Sequence, residues 1–171
     1  MSGQVEQYLF HRGEYRQAYE YFGAHPTRNS TIFRIWAPSA KSVAVVGDFN
    51  DWTPREEDYC RKLNNVGLWE VEIKKVKKSF LYKYQIETSW GEKILKSDPY
   101  AFYSELRPQT ASIVNGKPKF RWADKRWLNN REIGYAKPIN IYEVHLGSWK
   151  KKEDGTYYNY REIAELLVEY M

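Results

Sequence analysis

The spacing of apolar residues changes along the chain. Up to Phe22 apolar side chains recur at helical intervals, first as Val5, Tyr8 and Leu9 and then as Tyr15, Ala18, Tyr19 and Phe22. This spacing predicts one or two short helices within residues 3–22, ended by Gly23 in the position that a helix C-cap prefers. From Thr31 the period falls to two, which is the period of a half-buried strand.

Four segments carry the strand pattern: 31–37, 42–46, 68–74 and 80–87. In the last of them Phe80, Tyr82, Tyr84 and Ile86 alternate with Leu81, Lys83, Gln85 and Glu87. Lys83 is therefore predicted to point away from the core. A hairpin turn at 89–92, a returning strand at 93–95 and a short strand at 112–114 complete the set. Short strands at this spacing predict a mainly β fold, an immunoglobulin-like β-sandwich.

A different pattern follows residue 116. Residues 117–131 are basic and polar with a possible helix over 124–130, and a dense apolar run then spans 139–146, as in a strand buried on both faces. Residues 161–171 have the spacing of an amphipathic helix. Strand, loop and helix are the start of a βα repeat, but an eightfold barrel needs about 250 residues. We predict four parts: a helical segment (1–25), a β-sandwich module (26–116), a linker (117–137) and a strand–helix stub of a truncated (β/α)8 barrel (138–171).

Two tryptophans fall in predicted turns. Trp52 follows the strand 42–46 and the turn residues Gly47, Asp48, Asn50 and Asp51, and Trp90 lies in the hairpin turn. An indole at a loop tip offers a flat apolar face on which a pyranose ring can pack. The alternative for Trp52 is a lid folded back onto the core. With 15 Tyr and 7 Trp, the chain has more aromatic rings than one small core needs, so some are expected at the surface.

Charge and cysteine content narrow the function classes. The formal charge of +5 is dispersed over three basic clusters with acidic neighbours, which favours a solvated basic face over a nucleic-acid partner. Cys60 is the only cysteine, and His11 and His25 lack partners at metal-ligand spacing, so no disulfide, metal or cofactor is expected. No secretion signal and no apolar run of membrane-spanning length occur. We predict a soluble, cytoplasmic monomer without a nucleic-acid or membrane partner.

Motifs of known catalytic sites are missing. The sequence has no G-x-S-x-G elbow, phosphate-binding glycine loop or H-E-x-x-H helix. Glu162, Glu165 and Glu169 are better explained as a solvated helix face than as a paired acid and base. His145 is explained better as a hydrogen-bonded core histidine than as a site residue at the end of a strand. No catalytic residue is predicted.

Five motifs, taken together and in order, resemble the amino-terminal part of the bacterial glycogen branching enzymes. They are GDFNDW at 47–52, LYKY at 81–84, LKSDPYAF at 95–102, RPQTAS at 107–112 and IYEVHLGSW at 141–149. GDFNDW alone is shared with the glycogen-binding domain of AMP-activated kinase β subunits. IYEVHLGSW with LKSDPYAF upstream is more specific to the branching enzymes.

The resemblance implies a family-48 carbohydrate-binding module joined to the start of a glycoside-hydrolase family-13 barrel. Such enzymes cut an α-1,4-glucan and transfer the piece to a 6-hydroxyl, using a carboxylate nucleophile and a carboxylic acid about 5 Å apart. The resemblance places those acids beyond residue 171, so this chain alone is predicted to be inactive. It also assigns Trp52, Lys83 and Trp90 to binding of α-glucan, such as glycogen or maltooligosaccharides. Alternatives are a module that only supports the barrel, a free-standing glycogen-binding or regulatory module, and a nucleic-acid binder.

Overall fold

The computed structural model describes residues 3–116, 120–131, 138 and 140–171. The chain divides into two units, Met1–Phe120 and Arg121–Met171. The helices and strands of the first unit are α1 Gln4–His11, β1 Gly23–Pro26, β2 Ser30–Trp36, β3 Ala40–Gly47, β4 Arg61–Lys62, β5 Leu68–Lys74, β6 Leu81–Thr88, β7 Lys93–Lys96 and β8 Ser112–Ile113. Those of the second unit are α2 Lys125–Asn130, α3 Leu146–Trp149 and α4 Tyr160–Tyr170.

The strands of the first unit form two antiparallel sheets. The first sheet has the order β1-β2-β5-β4, and the second has the order β3-β6-β7, with β8 also paired to β6. Alternate side chains of both sheets meet in one core; Phe33 of β2 and Tyr82 of β6 contact edge to face with ring centroids 5.1 Å apart. Burying one such large apolar side chain stabilises the fold by about 1.5–3 kcal/mol. The predicted β-sandwich is confirmed.

The N-terminal segment covers the other side of the first sheet. Tyr21 and Phe22 form a second buried cluster with Leu68 of β5. The predicted helices over 3–22 are reduced to α1 and a 3-10 turn at Ala18–Glu20. Gly23 begins β1 rather than capping a helix, with φ of 94°, and a Cβ there would lie 2.8 Å from the carbonyl oxygen of Tyr100. Glycine is needed at this position because the backbones approach closely.

The second unit contains the predicted helix but not the predicted strand. Residues 140–145 have no regular structure and Ile141 is 88% exposed; Ile139 lies outside the described residues. A strand of the parallel type needs neighbouring strands to accept its backbone hydrogen bonds, and no described residue pairs with 140–145. The helix α4 does form. Asn159 caps it, accepting from the N–H groups of Arg161 and Glu162, while the Glu162 carboxylate accepts from the N–H of Asn159.

Candidate functional site

The turn that carries Trp52 is built on a buried asparagine. Asn50 is 7% exposed; its Oδ1 accepts from the N–H of Gly47 at 2.9 Å, and its Nδ2 donates to the carbonyl of Val45 at 3.0 Å. The same Nδ2 donates to Oδ2 of Asp58 at 2.8 Å. One side chain therefore joins the end of β3 to the segment that follows the turn.

Asp58 completes this hydrogen-bond network. Its side chain is fully buried, and it accepts from the backbone N–H of Arg55 at 2.9 Å and from Arg55 Nε at 3.0 Å. Burial alone would raise the pKa of Asp58, but the hydrogen bonds from Arg55 and Asn50 outweigh it, so the pKa is lowered. The carboxylate is ionised at neutral pH and fixes the turn through charge-assisted bonds.

The network holds two residues in a strained backbone conformation. Asp51 and Trp52 have φ of 50° and 59°, in the left-handed region that costs a side-chain-bearing residue about 1–2 kcal/mol. The N–H of Trp52 donates to the carbonyl of Gly47 at 3.0 Å. Trp52 keeps 37% of its surface exposed. Its ring is thus neither a fully buried lid nor a free surface group, but a fixed ring with part of its surface open.

Lys83 lies on the outer face of the second sheet. Its neighbours Tyr82 and Tyr84 are fully buried, whereas Lys83 is half-buried and is paired with Val46 of β3. Its Nζ donates to Oγ1 of Thr110 at 2.7 Å. An ammonium group has three N–H donors, so two remain for the hydroxyls of a ligand.

The strand register separates the two predicted tryptophans. β3 and β6 pair so that Gly47, next to the Trp52 turn, faces Tyr82, while Ala40 faces Thr88 at the start of the Trp90 hairpin. The length of β6 between these points is about 20 Å, at roughly 3.3 Å per residue. The turn that carries Trp52 and the residue Lys83 therefore lie toward one end of β6, and the hairpin that carries Trp90 lies at the other.

Trp90 is the more exposed of the two tryptophans that were predicted to bind a ligand. It is 78% exposed, and its Nε1 donates to Oε2 of Glu92 at 3.3 Å. Together with Trp36 and Ile94 it lines a cleft of about 280 Å³. Trp36 is 48% exposed and donates from its Nε1 to the carbonyl of Val66 at 3.0 Å.

The outer face beside Lys83 carries residues that were not singled out from the sequence. Gln85 alternates onto the same face, and the β6–β7 register pairs it with Leu95, which is 50% exposed. Alternation along β6 could have found Gln85. Leu95 depends on the length of the hairpin, which sets the register of β7.

Asp98 and Cys60 are two further titratable residues of the sandwich, and both are buried. Asp98 is buried and accepts from the hydroxyls of Tyr82 and Tyr84 at 2.6 and 3.4 Å; burial raises its pKa although these bonds lower it. Burial also raises the pKa of Cys60. His145, in the second unit, was predicted to be a core histidine; it is instead exposed, and it shares a hydrogen bond with Ser148 at 2.9 Å. Within the described residues, no acidic, histidine or cysteine side chains group in threes as a metal site would require, and no helix has the length and apolarity to cross a bilayer.

The chain is similar in sequence to known proteins over its whole length. Residues 21–101 match the family model described as carbohydrate-binding module 48 (isoamylase N-terminal domain). The chain is 92% identical, over all of its 171 residues, to the 1,4-alpha-glucan branching enzyme GlgB of Fusobacterium nucleatum, of which it covers 28%. It is 46% identical over 97% of its length to GlgB 1 of Clostridium perfringens strain SM101, of which it covers 26%.

The chain was also compared with solved structures. A pullulanase from Bacillus acidopullulyticus superimposes with a TM-score of 0.46 and 23% identity, over 55% of this chain and 12% of the pullulanase. The chain spans little more than a quarter of the length of the curated relatives named above. These 171 residues match, from end to end, the N-terminal region of the GlgB branching enzymes, with a carbohydrate-binding module 48 at residues 21–101.

Proposed function

We propose that this module binds α-glucan, as glycogen or maltooligosaccharide, at the end of the second sheet that holds Trp52 and Lys83. The observation that carries the proposal is the ammonium of Lys83, held by Thr110 at 2.7 Å on the outer face. An ammonium with two free N–H groups suits sugar hydroxyls, and the open part of the Trp52 indole suits the C–H face of a pyranose. Gln85 and Leu95 extend this surface with one amide and one apolar side chain.

Trp90 supplies a second, separate contact in this proposal. About 20 Å along β6 separates it from the Trp52 end. A long glucan chain can reach both places, and engagement of two linked sites raises the apparent affinity without any new contact. Short oligosaccharides, which reach only one place, then bind more weakly than glycogen.

Affinity electrophoresis in gels containing glycogen tests the proposal. We expect the parent protein to be retarded, and a Trp52→Ala, Trp90→Ala double variant to lose most of the retardation. Trp127→Ala is the matched control, because Trp127 is 63% exposed but lies in α2, outside the module. Parent protein that migrates at the same rate with and without glycogen would overturn the proposal, and so would a control that loses retardation as the double variant does.

Branching activity is proposed only for a protein of the full length of the curated relatives. Retaining transfer on α-glucans needs two carboxyl groups about 5 Å apart. The two buried carboxylates of the described residues are bonded to other groups: Asp58 to Arg55 and Asn50, Asp98 to Tyr82 and Tyr84. We expect the 171-residue chain to create no α-1,6 branches in amylose, as measured by chain-length analysis after debranching.

The competing idea of a free-standing regulatory module is not favoured. Residues 121–171 lie outside the module, yet the identity to the branching enzymes extends over them. A monomeric state, a cytoplasmic location and the absence of nucleic-acid and membrane partners remain proposals for this chain. Size-exclusion chromatography with light scattering checks the first of them.

A further inference from the structure

A strongly basic groove lies at one end of the first sheet. Two connections form it: residues 26–30, between β1 and β2, and residues 74–78, at the end of β5 and beyond. The groove has a volume of about 860 Å³. Small-molecule sites have volumes of about 300–1,000 Å³, so a compound larger than a simple ion fits here.

The charges of the groove are almost all of one sign. Its cations are Arg28, Lys74, Lys75, Lys77 and Lys78, against the single carboxylate of Glu72. Glu72 accepts a hydrogen bond from Oγ of Ser30, and none of the five cations forms an ion pair with any described residue. Five cations against one carboxylate give the groove lining a net formal charge of +4. Such a surface attracts anions of multiple charge.

The backbone that carries the lysines is fixed. Val76 is 3% exposed, and its carbonyl accepts from Oγ1 of the fully buried Thr31 at 3.0 Å. The N–H of Lys75 donates to the carbonyl of Asn29 at 3.0 Å, which joins the two connections. Lys75 and Ser79 have φ of 62° and 74°, so the segment is held in a conformation that side-chain-bearing residues adopt at a cost. An ordinary solvated lysine cluster needs no such fixed backbone.

The residues that line the groove indicate which class of anion it can bind. Arginine and lysine donors together suit phosphate oxygens, the arginine as a planar fork and the lysines as point charges. No aromatic side chain lines the groove, so it offers no stacking platform for a nucleobase. Asn29, Thr27 and Glu72 supply neutral or acidic partners for hydroxyl groups. We propose that the groove binds a small sugar phosphate, with the phosphate among the cations and the sugar against these polar groups.

This site is separate from the proposed glucan surface. The groove belongs to β2 and β5 of the first sheet, whereas Lys83 and the Trp52 turn belong to the second. Binding at one place can therefore be removed without removing the other, and neither proposal depends on the other.

Amide chemical-shift titration of the full 171-residue chain tests the proposal. Glucose 6-phosphate should shift the amide signals of Asn29 and Lys75 saturably, whereas glucose should not. A Lys77→Gln, Lys78→Gln variant should bind glucose 6-phosphate about tenfold more weakly, because two of the phosphate's cationic partners are removed. Lys125→Gln, Lys150→Gln is the matched control, which loses the same charge from exposed positions of the second unit and should bind within about twofold of the parent.

Four results would overturn the assignment. They are the absence of saturable shifts with glucose 6-phosphate, equal affinity for inorganic phosphate, tighter binding of ADP or of single-stranded RNA at the same amides, and an equal loss in the control variant. The substituted side chains are exposed, so both variants are expected to fold. Thermal melting followed by circular dichroism checks this.

Discussion

Two turns of the module, each predicted to present a tryptophan, differ in how firmly the protein holds them. The Trp52 turn is fastened to the core by Asn50 and Asp58, and its indole is 37% exposed. The Trp90 hairpin is closed by its own residues: the N–H of Thr88 donates to the carbonyl of Glu92 at 2.8 Å, and the N–H of Gly91 donates to the carbonyl of Thr88 at 3.0 Å. Its indole bonds to the exposed Glu92 carboxylate at 3.3 Å and is 78% exposed. The Trp90 ring therefore has the larger exposed surface, whereas the turn of Trp52 is the one bonded to buried side chains.

The difference matters because binding immobilises side chains. Ordering a mobile side chain at an interface costs about 0.5–1.5 kcal/mol, which a ring fixed in advance does not lose. The more buried ring should for this reason be the stronger anchor, although it offers less surface. We therefore expect that exposure alone does not rank the two rings in the proposed glucan binding.

The largest expected effect is on stability, and it differs between the glycines of the two turns. A Cβ on Gly47 would lie 2.1 Å from the carbonyl oxygen of Leu81, whereas a Cβ on Gly91 meets nothing within 4 Å. We expect Gly47→Ala to lower the free energy of unfolding by about 3 kcal/mol, because backbone must move. Gly91→Ala should lower it by about 1 kcal/mol, the cost of its φ of 90° for a residue with a Cβ. Urea unfolding measures both; equal losses would contradict the contrast.

The second effect concerns the acid that fastens the Trp52 turn. The folded-state pKa of Asp58 is below its ordinary value of 3.8, so its ionised form adds stability above that pH, which is lost as the pH falls through the folded-state value. Asp58→Asn should lower the free energy of unfolding by about 2 kcal/mol at pH 7 and weaken its dependence on pH below 3.8. Asp51→Asn, at an exposed position of the same turn, is the control and should change the free energy of unfolding at pH 7 by less than about 0.5 kcal/mol. A parental profile in Asp58→Asn would refute the role.

The smallest effect compares the two rings as ligand anchors, and it depends on the proposed glucan binding. Trp52→Ala should weaken retardation by glycogen about tenfold, or about 1.4 kcal/mol, because a fixed stacking face is lost. Trp90→Ala should weaken retardation by glycogen only about two- to threefold. The reason is that ordering the Trp90 side chain on binding offsets part of the free energy of its contact with the glucan. The apparent dissociation constants from affinity gels give the comparison. A larger loss in Trp90→Ala would reverse our order of the two contacts.

Local sequence patterns predicted the strands whose apolar and polar side chains alternate. They did not predict correctly where the presence of a strand depends on pairing with distant residues. β2, β5 and β6 follow from alternation, and α4 from its helical spacing. β1 was missed because four residues that include Gly23 and Pro26 have no strand pattern of their own. The strand predicted over 139–146 failed in its described part because an apolar run becomes a strand only beside other strands.

The same limit applies to the candidate site. Turn residues located Trp52 and Trp90, and alternation oriented Lys83, from sequence alone. The placement of the two turns at opposite ends of β6 depends on which residue of β3 faces which residue of β6, and that register is set by contacts between residues about 40 positions apart. No local signal carries it.

The buried state of Cys60 makes the protein convenient for spectroscopy. This thiol is the chain's only one, it is 8% exposed, and its raised pKa keeps it protonated at neutral pH. Maleimide dyes react with accessible thiolates, so the parent should stay unlabelled while folded. A single cysteine introduced at the hairpin tip would then accept one fluorophore, whose emission reports directly on whether glycogen reaches that end of the sheet.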